Sequence, residues 1–296
     1  MATKVKEVKI SAVIPTVQYG NISPEFTLEG GTDKAMKKKG LELIQEVWDE
    51  YGSAPLNKNE EKPMTEGVEF EEVLSFTGEK VLWSDYLHEY RSLDGVKLTS
   101  GSAYASMLEK PFDAALLSEK SGNAWGVDKD ELASLWKFNG KIATDYGTTI
   151  HQALETYMRF HKLGAVVQEK KGLEYNYALP KNDYLRKIVM DFVELFGSEG
   201  LPEVFVTDVK NKMAGQIDLL QIIDLEKKVC RLQDYKTNFE MKKAKLKYYS
   251  HQLSFYGLAL KNHGWTVEGY DIFHLNGDKW NKYEVDEQDI DTKLFQ

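Results

Sequence analysis

The chain has 296 residues, 42% hydrophobic and 29% charged, an ordinary globular composition with enough apolar content for a sizeable core. Its net charge of −9 excludes binding of nucleic acid by bulk positive charge, although a local basic run or bound cations in an acidic pocket would reverse the sign locally. A single cysteine, Cys230, excludes an internal disulfide and any cysteine-built zinc or iron–sulfur site.

The N-terminal MATKVKEVKI mixes charged and aliphatic residues without a secretory pattern, and no stretch reaches the ~18 apolar residues of a membrane span. A cytoplasmic protein with no membrane partner is expected. In residues 4–14, Val8, Ile10, Ala12 and Ile14 alternate and predict a strand, and NISPEFTLE predicts a second one after Gly20. Met36, Leu43, Ile44, Val47, Trp48 and Tyr51 then recur at helical spacing over 32–51, closed by Gly52. This is a small ββα unit, 1–60, and the polar, proline-bearing SAPLNKNEEKPMTEG reads as the linker to a main domain, 61–296.

In the main domain, strands are predicted at 68–76 and 80–84, followed by helices near 101–119, 129–145, 148–163 and 184–197. Strands at 203–209, 215–223 and 229–236 come next, then a helix over 244–262 and a strand at 268–275. Leading helices, a central strand cluster and a helix behind it predict an α/β (α+β) domain whose mixed sheet is flanked by helices.

The stretch GQIDLLQIIDLEKKVCRLQDYKT, 215–237, holds the chemistry. With DLEKK as the turn, Ile223 faces Val229, Gln221 faces Arg231 and Asp218 faces Asp234, while Asp234 and Lys236 share a face. Two aspartates directly across a strand pair repel. A divalent cation held by hard oxygen ligands turns that repulsion into coordination, and magnesium or manganese suits such a site. The same residues also fit a surface hairpin with Lys236 salt-bridged to Asp234.

Two helical pairs lie elsewhere. In GTTIHQALE, Thr148 or Thr149 is placed to cap a helix on which His151 and Glu155 share a face. Imidazole completes carboxylate metal sites, and it also pairs with glutamate on plain helix surfaces. In YYSHQLSFYGLAL, Tyr249, Gln252 and Tyr256 form a stripe of amide and aromatic groups able to orient a base or a phosphate, or simply a half-buried helix face. Lys242, Lys243, Lys245 and Lys247 precede it and either track a phosphate backbone or form a solvated helix start.

The order GTTIH…E, GQIDLL, LQDYKT, HQLSFY over about residues 100–275 resembles the RecB-like branch of the PD-(D/E)XK nuclease superfamily, the last element resembling its Q-x-x-x-Y. The resemblance implies a restriction-endonuclease-like fold and a DNA exonuclease using one or two Mg²⁺ or Mn²⁺ ions. It implies His151, Asp218, Asp234 and the backbone carbonyl of Tyr235 as metal ligands. Asp218, Asp234 and Lys236 would be the catalytic group, and Gln252, Tyr256, Tyr249, Lys242 and Lys245 would lie on the substrate side. Glu155 and Glu203 are supporting acids. Members with four cysteines hold an iron–sulfur cluster; this chain departs from them, so no cluster is expected. YLHEYRS and LTSGSAYASMLEKPFD look like phage or prophage relatives, which implies recombination or DNA processing; the N-terminal unit resembles no family, and docking a recombination protein and guiding a DNA strand are both open to it. The competing reading is a nuclease fold that binds DNA, or acts as an adaptor, without efficient cleavage.

Overall fold

The computed structural model describes residues 38–39, 42–43, 69–110 and 112–295, and the backbone alone of 7–11, 14–15, 21–22 and 25–29. Most of the helix expected over 32–51 and the whole linker expected over 53–67 lie outside the described residues. The chain divides into two compact units, Met1–Gly67 and Val68–Gln296. In the first, β1 (Glu7–Ser11) pairs antiparallel with β4 (Glu25–Glu29), and β2 (Ile14–Pro15) pairs antiparallel with β3 (Asn21–Ile22).

The second unit opens with a meander, β5 (Glu71–Leu74), β6 (Lys80–Ser84), β7 (Glu89–Arg91) and β8 (Lys97–Ser100). The last two strands are too short for a period-two pattern to register in the sequence. Helices α1 (Gly101–Met107) and α2 (Ala114–Trp125) replace the single helix expected over 101–119. The break has a local cause: Asp113 is the N-cap of α2, its carboxylate accepting from the amide of Leu116.

The two helices expected over 129–145 and 148–163 are one, α3 (Lys129–Lys171), started by Asp128 accepting two amides and ended by Gly172 in the left-handed region. Thr148 and Thr149 therefore cap nothing. The Thr149 hydroxyl donates to the Asp145 carbonyl at 2.8 Å, a back-bond that satisfies it inside a continuing helix. Helix α4 (Asp183–Phe196) follows, capped by Asn182.

Strands β9 (Leu201–Asp208), β10 (Met213–Asp224) and β11 (Val229–Lys236), helix α5 (Lys243–Asn262), and strands β12 (Thr266–Asn276) and β13 (Lys279–Val285) complete the chain. The sheet is mixed and nine-stranded, in the order β13-β12-β11-β10-β8-β7-β6-β5, with β9 also on β10. Helix α5 returns the chain so that β12 lies parallel to β11. One apolar cluster joins α1 and α5 to the sheet through Tyr104, Leu220, Leu232, Leu253, Phe255 and Ile272. The other joins α3 and α4 through Ile150, Leu154, Ile188, Phe192, Leu219, Tyr235 and Phe273.

Strand β10 is the hub. On one edge it pairs with β9 from Met213 to Leu220. On its other edge it pairs with β8 only at Met213 and Ala214, and with β11 only from Leu219 onward. Between them, residues 215–218 pair with neither strand on that edge, so the sheet forks there. The ring of Tyr256, from α5, fills the crotch of the fork. A Cβ on Gly215 would lie 2.2 Å from Tyr256 Cε1, and one on Gly101 would lie 2.6 Å from the same atom. Glycine at both positions is what lets the tyrosine seat.

Candidate metal centre

The hairpin register follows the expected pairing over part of its length. Gln221 faces Arg231 and Leu219 faces Gln233. A bulge between Ile222 and Asp224 sets Asp224, not Ile223, against Val229. At the other end the ladder stops at Leu219, so Asp218 and Asp234 are not a backbone-bonded pair. Instead the Asp218 carboxylate itself accepts the amide of Tyr235 at 2.7 Å, taking the place of a ladder bond.

Strict alternation also fails at this point. Ile217 packs with the α5-side cluster and Leu219 with the α3-side cluster, although the two are two residues apart. Opposite Asp218 in the β9 register, between Pro202 and Val204, stands Glu203 with φ of 51°. A left-handed conformation at a non-glycine residue is a cost that surrounding structure must hold in place, and such residues gather at functional sites.

From α3, the His151 ring enters the fork. Its Nε2 donates to the Tyr235 carbonyl at 3.0 Å, and its Nδ1 lies 3.6 Å from Asp218 Oδ2. One donor atom each from His151, Glu203 and Asp218 fall within 4.8 Å of one another. Strand β11 contributes Asp234, which is buried, and Lys236, whose Nζ is 2.5 Å from Asp234 Oδ2 and 4.8 Å above the Tyr249 ring. That carboxylate oxygen has no partner with hydrogen-bond geometry, so the contact is an ion pair. Its other oxygen accepts from Gln252 Nε2 at 3.4 Å.

Burial dominates the electrostatics, with repulsion among the acids added to it. Burial, and then the charges of Asp218 and Glu155, push the Glu203 carboxyl up to about 9. Burial pushes the Asp234 carboxyl up to about 7, against the pull of Lys236. Burial by itself would lower the Lys236 ammonium, but Asp234 and Asp218 outweigh it and raise its pKa. Arg159 moderates the repulsion from outside: it donates to Glu155 at 2.7 Å and to the Pro202 carbonyl, next to Glu203, at 3.3 Å.

A cavity of about 890 Å³ opens on these groups, with His151, Glu155, Glu203, Gln216, Lys236 and Gln252 among its walls. Of the expected substrate-side residues, Tyr249, Gln252 and Lys245 line it. Lys242 does not; it is the first residue before α5 and pairs with Glu240 at 3.0 Å. Tyr256, also expected on the substrate side, is buried in the core, where its ring fills the fork beneath the site. Glu203, expected only as support, stands among the three clustered donors, whereas Asp234 is engaged by Lys236 and Gln252. Arg159 was missed, although its i,i+4 spacing from Glu155 was a readable signal. Among the described residues no helix is long and apolar enough to cross a membrane.

A model of the PD-(D/E)XK nuclease superfamily matches residues 129–279, which span α3 through the start of β13. No curated protein matches. A solved structure described as "Crystal structure of SSO0001" is similar at 15% identity with a TM-score of 0.25, over 50% of this chain and 68% of that one.

Proposed function

The chain belongs to the PD-(D/E)XK nuclease superfamily, whose members use divalent metals, and from that premise we propose that it is a Mg²⁺- or Mn²⁺-dependent deoxyribonuclease of the RecB-like type that removes nucleotides from DNA ends or single strands. The observation that carries this reading is the convergence of His151, Glu203 and Asp218 within 4.8 Å, beside the Asp234–Lys236 pair, with His151, Glu203 and Lys236 on the wall of one cavity.

The donor set fits a hard divalent ion: two carboxylates and an imidazole, with the Tyr235 carbonyl and Asp234 beside them. Burial first, and then the neighbouring acids Asp218 and Glu155, raise the Glu203 carboxyl, which suits a site that takes up a cation. His151, Asp218 and Glu203 would hold the ion, with the buried Asp234 adding negative charge beside Asp218. When bound, the ion lowers the pKa of a coordinated water and polarises the phosphodiester.

The protein groups have separable tasks. Lys236 remains an ammonium at neutral pH, so it acts by charge, holding the attacking water or the developing negative oxygen, and not as a base. Asp234 fixes that ammonium at 2.5 Å, and the Tyr249 ring beneath it limits its other rotamers. The Asp218 carboxylate, tied to the Tyr235 amide, holds the residue whose carbonyl faces His151. Gln252 spans from Asp234 to the cavity and is placed to meet a phosphate or a base. Lys245 brings positive charge to the same wall. The setting we propose is cytoplasmic recombination or DNA processing of the phage type, with residues 1–60 as a docking unit for a recombination protein.

The test is release of nucleotides from end-labelled linear DNA with Mg²⁺ or Mn²⁺, compared with closed circles and with EDTA. Metal-dependent loss of the linear DNA alone supports the exonuclease. Cutting of closed circles would make it an endonuclease, and binding without cleavage in either metal would replace the reading with a binding protein.

A further inference from the structure

We propose that Phe239 is a base-stacking residue, which receives a terminal or unpaired nucleobase of the strand whose phosphate lies at Lys236. The inference rests on the nuclease reading above and extends it to the recognition of DNA ends.

Phe239 is 92% exposed, more than any other large apolar side chain among the described residues. Scattered exposed apolar residues are ordinary, so exposure alone carries nothing. Here the backbone beneath the ring is held from several sides. The Asn238 carbonyl accepts from His274 Nε2 at 2.6 Å, and His274 is buried on β12 opposite Lys236. The Asn238 side chain accepts from the Tyr249 hydroxyl at 3.3 Å and donates to the Glu240 carbonyl at 2.5 Å. A loop pinned in this way presents its aromatic ring in a defined place, while the ring itself contributes little to the core.

That place follows directly on the cavity wall. Thr237 and Asn238, the two residues before Phe239, line it, as does Lys236. Three residues of chain reach at most ~11 Å, which is about three stacked nucleotides along one strand. An aromatic ring within that reach of the reacting phosphate is close enough to stack on a base of the same strand. Every nucleobase offers a π-face, so the contact tolerates any sequence. A base paired inside a duplex has both faces occupied by its neighbours. The ring therefore favours ends, frayed pairs and single strands over the interior of a duplex. Lys245, above the Tyr248 ring at 4.9 Å, supplies phosphate attraction on the same wall.

The experiment uses the full chain and an oligonucleotide whose terminal base is a fluorescent purine analogue, titrated in EDTA so that binding is read without cleavage. Wild type should quench the analogue on binding, Phe239→Ala should weaken that binding roughly tenfold and remove most of the quench, and Phe239→Trp should restore both. In cleavage assays Phe239→Ala should raise KM for frayed and single-stranded ends. Equal quench and affinity in wild type and Phe239→Ala would overturn the inference, whether or not the nuclease reading stands. Quenching that depends on Phe239 in a protein that cuts no DNA would keep the inference and remove the nuclease reading. If Phe239→Ala left DNA binding intact but abolished capture of a protein partner, the ring would belong to a protein interface and the inference would fall.

Discussion

The buried Asp271 and the partly or fully buried acids at the fork are treated oppositely. Asp271 on β12, fully buried, is met by Arg231 Nη1 at 2.9 Å, Lys282 Nζ at 3.3 Å and Gln233 Nε2 at 3.3 Å. Its charge is answered by protein. At the fork, Asp218, Asp234 and Glu203 are met by Lys236, His151 and the more distant Arg159, and Glu203 is driven far above the ordinary carboxylate range. A paired buried acid reads as structure, and an under-compensated one beside a cavity reads as a site awaiting positive charge.

The sharpest way to break that comparison is to neutralise one acid at the fork. Asp218→Asn should lower cleavage by on the order of 10³-fold while leaving DNA binding in place. The same variant should raise the melting temperature of the metal-free protein, since it removes a repulsive charge. Near wild-type cleavage by a pure preparation would end the assignment.

The paired group should answer in the other direction. Arg231→Leu strands Asp271 with only Lys282 and Gln233, and should cost about 3 kcal/mol in denaturant unfolding, with cleavage per folded molecule unchanged. A smaller structural effect is expected from Gly215→Ala, because the added Cβ meets Tyr256 at 2.2 Å. About 1–3 kcal/mol should be lost, and Tyr256→Leu in the same chain should recover part of it.

The last effect is one of pH. Glu203 has a folded pKa of about 9 against an ordinary 4.5, so across that window the metal-free fold keeps a proton that the unfolded chain releases. Its contribution is full below the lower value, declines through the window and is gone above the upper one. The metal-free melting temperature should therefore fall with rising pH, and the shift on adding Mg²⁺ or Mn²⁺ should be larger near about pH 8 than near about pH 6, because bound protons compete with the ion. A metal-induced shift independent of pH would place the ion away from Glu203.

Much of this was readable in the chain. The apolar run of β10, the polar turn after it and the return through LQDYKT specify a hairpin by local pattern, and its register holds from Leu219 to Ile222. Helix α5 was readable from its spacing, as was a mixed sheet with flanking helices from element order. The single 43-residue α3 was not. Gly147 and two threonines are helix-breaking signals in isolation, and it is packing of Ile150, Leu154 and Met158 against the sheet that carries the helix through them. The short strands β7 and β8 and the closing strand β13 were likewise invisible, since they depend on partners distant in sequence.

At the site, the residue types Asp218, Asp234, Lys236 and His151 were determined by sequence order alone, because their spacing on one hairpin and one helix is local information. Which of them meet was decided by the tertiary structure. The fork in β10, the left-handed turn at Glu203 and the burial of Tyr256 arise where β9 takes one edge of β10 and β8 and β11 compete for the other. No local pattern encodes that competition, because each partner comes from a separate part of the chain and only close packing selects which edge each one takes.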